Sequence, residues 1–278
     1  MKCIIIAAGY ATRLYPLTEN FPKPLLEVGG KSILDWLIED LETTGRIDEY
    51  VVVTNHKFAH HFQQWADAKN QSSSRRSALS TFPSGEGRGE APLITVLDDG
   101  TSTNETRLGA VRDIQLAISG GDQIVNGKLS KRKPIDDDAL IMAGDNLLSF
   151  SLKPFIDYFD AKRTTCIMRY YESDEARLHK SGIVEVDSSE RVVSMEEKPA
   201  QPRSHWCCPP FYIYRREDLG RVGEGIAAGC AVDAPGSFIA WLHQQTPVHA
   251  WEMPGRRYDI GNLASYEEVQ RTYKGIEA

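Results

Sequence analysis

Two cations, Arg13 and Lys23, lie on a short stretch that also carries Pro16, Pro22 and Pro24. Proline fixes φ, so this stretch is stiff, and two cations on a stiff loop suggest a site for a polyanion. The stretch follows Cys3 to Ala8, a β-branched apolar run of the kind buried on both faces of a parallel sheet. Gly9 ends that run at the sheet's C-terminal edge, where open α/β sheets bind ligands. A carboxylate, Asp145, follows a second such run, Ala139 to Ala143, and so faces the same edge. Taken alone, a glycine loop of this sort also fits a pair of solvated surface cations.

The elements needed to hold these residues alternate along the chain. Ser32 to Thr44 places Ile33, Leu34, Leu37, Ile38 and Leu41 on one helical face, opens with Ser32 and Asp35 at capping-box spacing and ends at Gly45. Tyr50 to Thr54 reads as a buried strand, and His56 to Lys69 as a helix with Phe58, Phe62 and Trp65 inward. Leu93 to Leu97 resumes the sheet, Arg107 to Ile118 follows as a helix, and Ser151 to Lys162 as another. This alternation predicts a parallel sheet with right-handed crossovers. Residues 71–92 and 119–138 lack a hydrophobic period and are expected to be polar, mobile insertions. From Thr164 the runs CIMRYY, GIVEVD, RVVSMEEKP and PFYIYRR are strands in succession, which favours antiparallel pairing. A helix over Pro235 to Gln245, a strand over Val248 to Glu252 and a last amphipathic helix through Tyr273 complete the pattern. The expected fold is α/β, a Rossmann-like, mostly parallel central sheet flanked by helices, with an antiparallel-rich C-terminal half.

The stretch AAGYATRLYPLTENFPKPLLEVGGKSIL resembles the signature of the sugar-1-phosphate nucleotidyltransferases, G-x-G-T-R-L-x-P-x-T-x-x-x-P-K-P-L. One departure is Ala11, where that family usually has its second glycine; a Cβ narrows the loop and disfavours positive φ. Further stretches match in the same order: Gly144-Asp145, Gly182 in SGIVEVD, Glu197-Lys198-Pro199, and Tyr258-Asp259-Ile260-Gly261, with Asn262 replacing the usual threonine. DDGTSTNETRLGAV stands where the family reads the nucleobase, and Gly109 matches its small residue there.

The resemblance implies a nucleotide-diphospho-sugar transferase fold in a single domain over 1–278, with a nucleotide-binding half over 1–163 and a sugar-phosphate half over 164–278. It implies that Ala8, Gly9 and Gly109 contact the nucleotide, that Arg13 and Lys23 are catalytic, and that Gly182, Glu197 and Lys198 hold the sugar phosphate. Asp145 and Asp259 would bind Mg2+, an ion that prefers one or two carboxylates with phosphate oxygens and water. The substrates implied are a nucleoside triphosphate and a sugar 1-phosphate.

Composition bounds the partners. A net charge of −7 argues against a general nucleic-acid binder, whose affinity rests on many phosphate contacts. No uninterrupted apolar run reaches membrane-span length and no signal-peptide pattern opens the chain, so a cytoplasmic protein with no membrane partner is expected. Oligomeric state is left open, a homo-oligomer included. Five cysteines without C-x-x-C spacing suggest neither a zinc site nor a disulfide framework. His56 and His60 are spaced for a shared helix face but lack a third ligand, and Asp136, Asp137 and Asp138 read as a solvated entry to a strand. Two other readings remain: a cytidylyltransferase for a non-sugar phosphate such as phosphocholine, with Trp206, Tyr212 and Tyr214 as an aromatic cage, and a non-catalytic binder of nucleotide-sugars.

Overall fold

The structure is a computed structural model and describes residues 1–79, 92–125 and 128–276. The chain runs through β1 (Lys2–Ile6), a short hairpin of β2 (Glu27–Val28) and β3 (Lys31–Ser32), α1 (Ile33–Thr44), β4 (Glu49–Thr54), α2 (Ala59–Leu79), β5 (Leu93–Asp98) and α3 (Ala110–Ser119). A second hairpin, β6 (Gly121–Val125) and β7 (Lys128–Arg132), leads to β8 (Ala139–Ala143), β9 (Asn146–Leu148) and α4 (Lys153–Lys162). Then come β10 (Thr165–Tyr171), α5 (Glu175–Leu178), β11 (Gly182–Val186), β12 (Val192–Glu197), β13 (Trp206–Cys208) and β14 (Phe211–Tyr214). The last elements are α6 (Arg216–Leu219), α7 (Val222–Ala227), α8 (Gly236–Leu242), β15 (Val248–Glu252), β16 (Arg257–Asp259) and α9 (Leu263–Thr272).

One twelve-stranded sheet runs through both halves in the order β12-β11-β13-β10-β14-β8-β1-β4-β5-β6-β7, with β15 beside β10. Its parallel centre is β8-β1-β4-β5, and the flanking pairs are antiparallel apart from β10 with β15. The centre is covered on both faces, as its unalternating apolar runs require. Cys3 and Ile5 of β1 face one layer, with Leu37 of α1, Phe62 of α2 and Phe155 of α4. Ile4 faces the other, with Ile114 of α3 and Phe238 of α8. Each such fully buried side chain is worth about 1.5–3 kcal/mol over leaving it exposed.

Several boundaries differ from the sequence expectation for local reasons. Helix α2 begins at Ala59 because Asn55 breaks the run: its Oδ1 accepts from Phe58 N at 3.1 Å and its Nδ2 donates to Ala8 O at 3.0 Å. Ser32 caps α1 by accepting from Asp35 N at 3.0 Å, but Asp35 does not complete a capping box. Its carboxylate instead takes Trp65 Nε1 at 3.0 Å and Lys69 Nζ at 2.8 Å. Helix α3 begins at Ala110 because Gly109 stands at φ 91°. Of the two expected insertions, the first opens as a continuation of α2 to Leu79, and residues 80–91 lie outside the described residues. The second contains the β6–β7 hairpin, which pairs onto β5 and satisfies backbone groups at that edge.

Candidate active site

Strand β1 delivers its loop to the sheet edge held from the β4 side: Ala7 N donates to Val53 O at 2.8 Å, and Asn55 Nδ2 donates to Ala8 O. Gly9 is exposed at that edge, with open space where a Cβ would stand. Ala11 then adopts φ 47°, ψ 40°, the left-handed region that glycine occupies freely. Thr18 Oγ1 donates to Ala11 O at 2.8 Å, and Leu14 N donates to the same oxygen at 2.9 Å. The loop therefore keeps the glycine-like backbone without the glycine.

Leu14 anchors the loop in a small core with Val28, Ile33, Leu147, Ile260, Val269 and Tyr273. That core links the first loop to the chain's last strand and helix. Arg13 is exposed, and its Nη1 lies 4.0 Å from where a methyl on Gly261 would stand. Lys23 is buried, and its Nζ donates to Asp145 Oδ2 at 2.8 Å. Gly144 makes this approach possible: a Cβ there would sit 2.9 Å from Ile5 Cγ2 and 3.5 Å from Pro24 Cβ. Burial opposes ionisation of Asp145, but Lys23, with help from Arg257, outweighs it and holds the carboxyl below its ordinary range.

The second carboxylate arrives through a short ribbon absent from the sequence expectation. Strand β9 pairs antiparallel with β16, setting Asp259 opposite Asn146 and therefore beside Asp145. Both side chains remain open, Asp145 at 40% and Asp259 at 62% of full exposure. Two reachable carboxylates supply the hard oxygen donors that suit Mg2+, with positions left for phosphate oxygens and water. Asn262 caps α9, its side chain accepting from Ser265 N at 2.9 Å, so its substitution for threonine is accommodated as a cap.

A cavity of about 880 Å³ opens from this point and is lined by Asp145, Gly182, Glu197, Lys198, Arg257 and Asp259 among others. Gly182 pairs across β11–β12 with Glu197. The Glu197 carboxylate is wedged between two glycines, since a Cβ would lie 3.0 Å from its Oε2 at Gly182 and 2.2 Å at Gly236. Burial pushes the Glu197 pKa up, Lys198 pulls it down and Asp233 adds to the rise. Lys198 itself stands at φ 50°, with its N–H donating to Ser181 O at 3.1 Å.

The structure thus gathers Asp145, Gly182, Glu197, Lys198 and Asp259 around one cleft; Lys23 reaches it through Asp145 and Arg13 lies near Gly261, while Ala8 and Gly9 lie on the β1 loop outside its lining. Gly109 is not among the residues that line it and packs against the segment before Asp233: a Cβ would meet Val232 O at 2.6 Å, and Val111 N donates to that oxygen at 2.9 Å. Two residues of the cleft, Asn146 and Arg257, went unassigned in the sequence although both adjoin the matched aspartates. Among the other candidates, Tyr212 and Tyr214 are core residues, and the Trp206 ring is covered by the Arg169 guanidinium at 4.4 Å, so the three form no cage. His56 Nδ1 meets Asp98 Oδ2 at 2.6 Å, and the His60 ring lies tilted against His61 with centroids 3.9 Å apart, so the two histidines have separate partners. Asp138 accepts from Arg216 N at 2.8 Å and Arg215 Nη1 at 3.2 Å, while Asp137 meets the N-terminal amine at 3.2 Å. Among the described residues no three His, Cys, Asp or Glu form a metal-binding group, and no helix is long and apolar enough to cross a membrane.

A family model described as nucleotidyl transferase matches residues 2–275. A Bacillus subtilis (strain 168) protein provisionally named UTP–glucose-1-phosphate uridylyltransferase is 26% identical over 272 residues, 95% of this chain and 93% of that protein. The bifunctional protein GlmU of Methanocaldococcus jannaschii is 25% identical over 217 residues, 78% of this chain and 40% of that protein. Among solved structures, a UDP-glucose pyrophosphorylase complexed with UDP-glucose shares the fold at TM-score 0.72 and 18% identity, covering 98% of this chain and 97% of that one.

Proposed function

The chain belongs to the nucleotidyl transferase family, and from that premise we propose that it transfers a nucleotidyl group from a nucleoside triphosphate to a sugar 1-phosphate. A phosphate oxygen of the sugar 1-phosphate attacks the α-phosphorus, the bond from that phosphorus to the β-phosphate bridging oxygen breaks, and pyrophosphate leaves with the bonding pair. The products are a nucleotide-sugar and pyrophosphate.

The observation that carries this reading is the contact of Lys23 with Asp145 at 2.8 Å, beside Asp259, where the β1 loop meets the acceptor cavity. Two anions must be brought together there, so the site needs fixed cations more than a strong base. Arg13, exposed near Gly261, steadies the departing phosphates. Lys23 is buried at the junction and spans the α-phosphate and the incoming phosphate. Lys198 holds the sugar phosphate, while Glu197 and the Gly182 backbone contact sugar hydroxyls. Ala8 and Gly9 lie along the nucleotide, and Gly109 fixes the start of α3 beside the base. Mg2+ held by Asp145 and Asp259 supplies further neutralisation of phosphate charge when bound.

The test is a pyrophosphate-release screen of the four ribonucleoside triphosphates and dTTP against a panel of sugar 1-phosphates. Release with at least one pair is expected. No release with any pair would turn the reading to a non-catalytic binder.

A further inference from the structure

Arg257 is a cation of the cleft lining whose hydrogen bonds leave N–H donors over. It lies on β16 with 16% of its side chain exposed, on the same face of the strand as Asp259. Its Nη1 donates to Asn146 Oδ1 at 2.6 Å, and its Nη2 reaches the Tyr170 hydroxyl at 3.4 Å. The guanidinium stands 5.5 Å from the Tyr170 ring centre, and Asp259 Oδ2 lies 4.0 Å from Nη1.

A guanidinium has five N–H donors in a fixed fork. Here one short hydrogen bond, one long one and a carboxylate at the limit of an ion pair leave much of that capacity unspent. Asp259 and Asp145 offset the burial of its charge, and the N–H donors left over are what a further anion would meet. Arg257 lines the same cavity as Gly182, Glu197 and Lys198, so the anion would come from that volume. The planar fork matches two oxygens of one phosphate, which a lysine does not.

We propose that Arg257 binds the phosphate of the sugar 1-phosphate acceptor, gripping its non-attacking oxygens together with Lys198. This rests on the transfer reading for the identity of the acceptor, but the phosphate site it describes exists independently of turnover. Asn146 and Tyr170 are the positioning residues, one holding the edge of the guanidinium and the other its face.

The test uses the full chain with Arg257→Gln and Arg257→Lys. With the productive pair from the release screen, Arg257→Gln raises KM for the sugar 1-phosphate about 10- to 100-fold, the range for losing hydrogen bonds to a charged group. KM for the nucleotide and the Mg2+ concentration for half-maximal rate stay within about twofold of wild type, and Arg257→Lys falls between. A brace for the two aspartates would instead raise the Mg2+ requirement or lower the melting temperature with acceptor KM unchanged, and that result overturns the proposal. Isothermal titration with inorganic phosphate supplies a readout free of chemistry. Binding by wild type that weakens in Arg257→Gln supports the site even if no pair releases pyrophosphate, whereas equal binding by both, or none by wild type, overturns it.

Discussion

Lys23 and Asp145 meet at 2.8 Å across 122 residues of sequence, and the carboxylate explains how the lysine is buried. A lysine with only 7% of its side chain exposed needs a counter-charge, and Asp145 supplies it at the edge where β1 and β8 end. Removing the lysine leaves that carboxylate unpaired as well as the phosphates. Lys23→Ala is expected to lower the turnover rate about 10²- to 10³-fold, the cost typical of losing one charge-stabilising group, in a steady-state assay of pyrophosphate release. Near-native turnover would sink the role given to Lys23.

Asp145 and Asp259 predict how the activity responds to metal removal. EDTA is expected to abolish pyrophosphate release and added Mg2+ to restore it, while the melting temperature in chelator stays near its original value because Lys23 and Arg257 already face these carboxylates. Full activity in chelator would remove the metal from the mechanism.

Glu197 is held in place by the absence of two side chains. Gly236→Ala would bring a methyl to 2.2 Å of Glu197 Oε2, and the carboxylate must swing away. The expected outcome is a raised KM for the sugar 1-phosphate with KM for the nucleotide unchanged, read in parallel titrations of the two substrates.

Ala11 bears a backbone conformation that costs an L-residue about 1–2 kcal/mol. Ala11→Gly removes that cost but adds freedom to the unfolded chain, so unfolding in urea should show a gain of up to about 1 kcal/mol. Ala11→Val, β-branched in the same conformation, should lose at least as much. The reverse order would mean that the loop's shape is set by something other than φ.

Asp113, buried in the first turn of α3, offers a pH test away from the cleft. Burial, reinforced by Asp99, pushes its pKa up to about 7. Between the unfolded value near 4 and this folded value the native state holds a proton that the unfolded chain has released, so this residue makes stability fall as pH rises. Asp113→Asn lacks that proton. Its unfolding free energy should gain on wild type from pH 4 to 7 and keep a constant lead above, in parallel denaturation series.

Much of this was legible in the sequence because buried parallel strands and amphipathic helices leave unambiguous periods. Ala139 to Ala143 and the α1 face fell where the pattern put them, and Cys3 to Ala8 located β1, which runs from Lys2 and ends at Ile6. The β6–β7 hairpin was not legible, since an edge pair needs no apolar period to form. Nor was β9–β16: three residues on each side carry no signal of their own, and only their pairing places Asp259 beside Asp145. Arg257 was passed over for the same reason, as nothing in the run Arg257 to Asn262 says which of its residues faces a cavity.

The small core that joins Leu14 to Ile260, Val269 and Tyr273 gives the cleft an order of construction. The β1 loop, Lys23 and Asp145 lie within the first 145 residues, but the strand that brings the second carboxylate is followed by a helix that ends at Thr272, after which the Tyr273 hydroxyl donates to Leu148 O at 2.9 Å. During synthesis the first loop can pack on Val28 and Ile33 early, but its cluster is complete only once Ile260, Val269 and Tyr273 have been made. The second carboxylate and the last members of that cluster are therefore set in place by the same late segment.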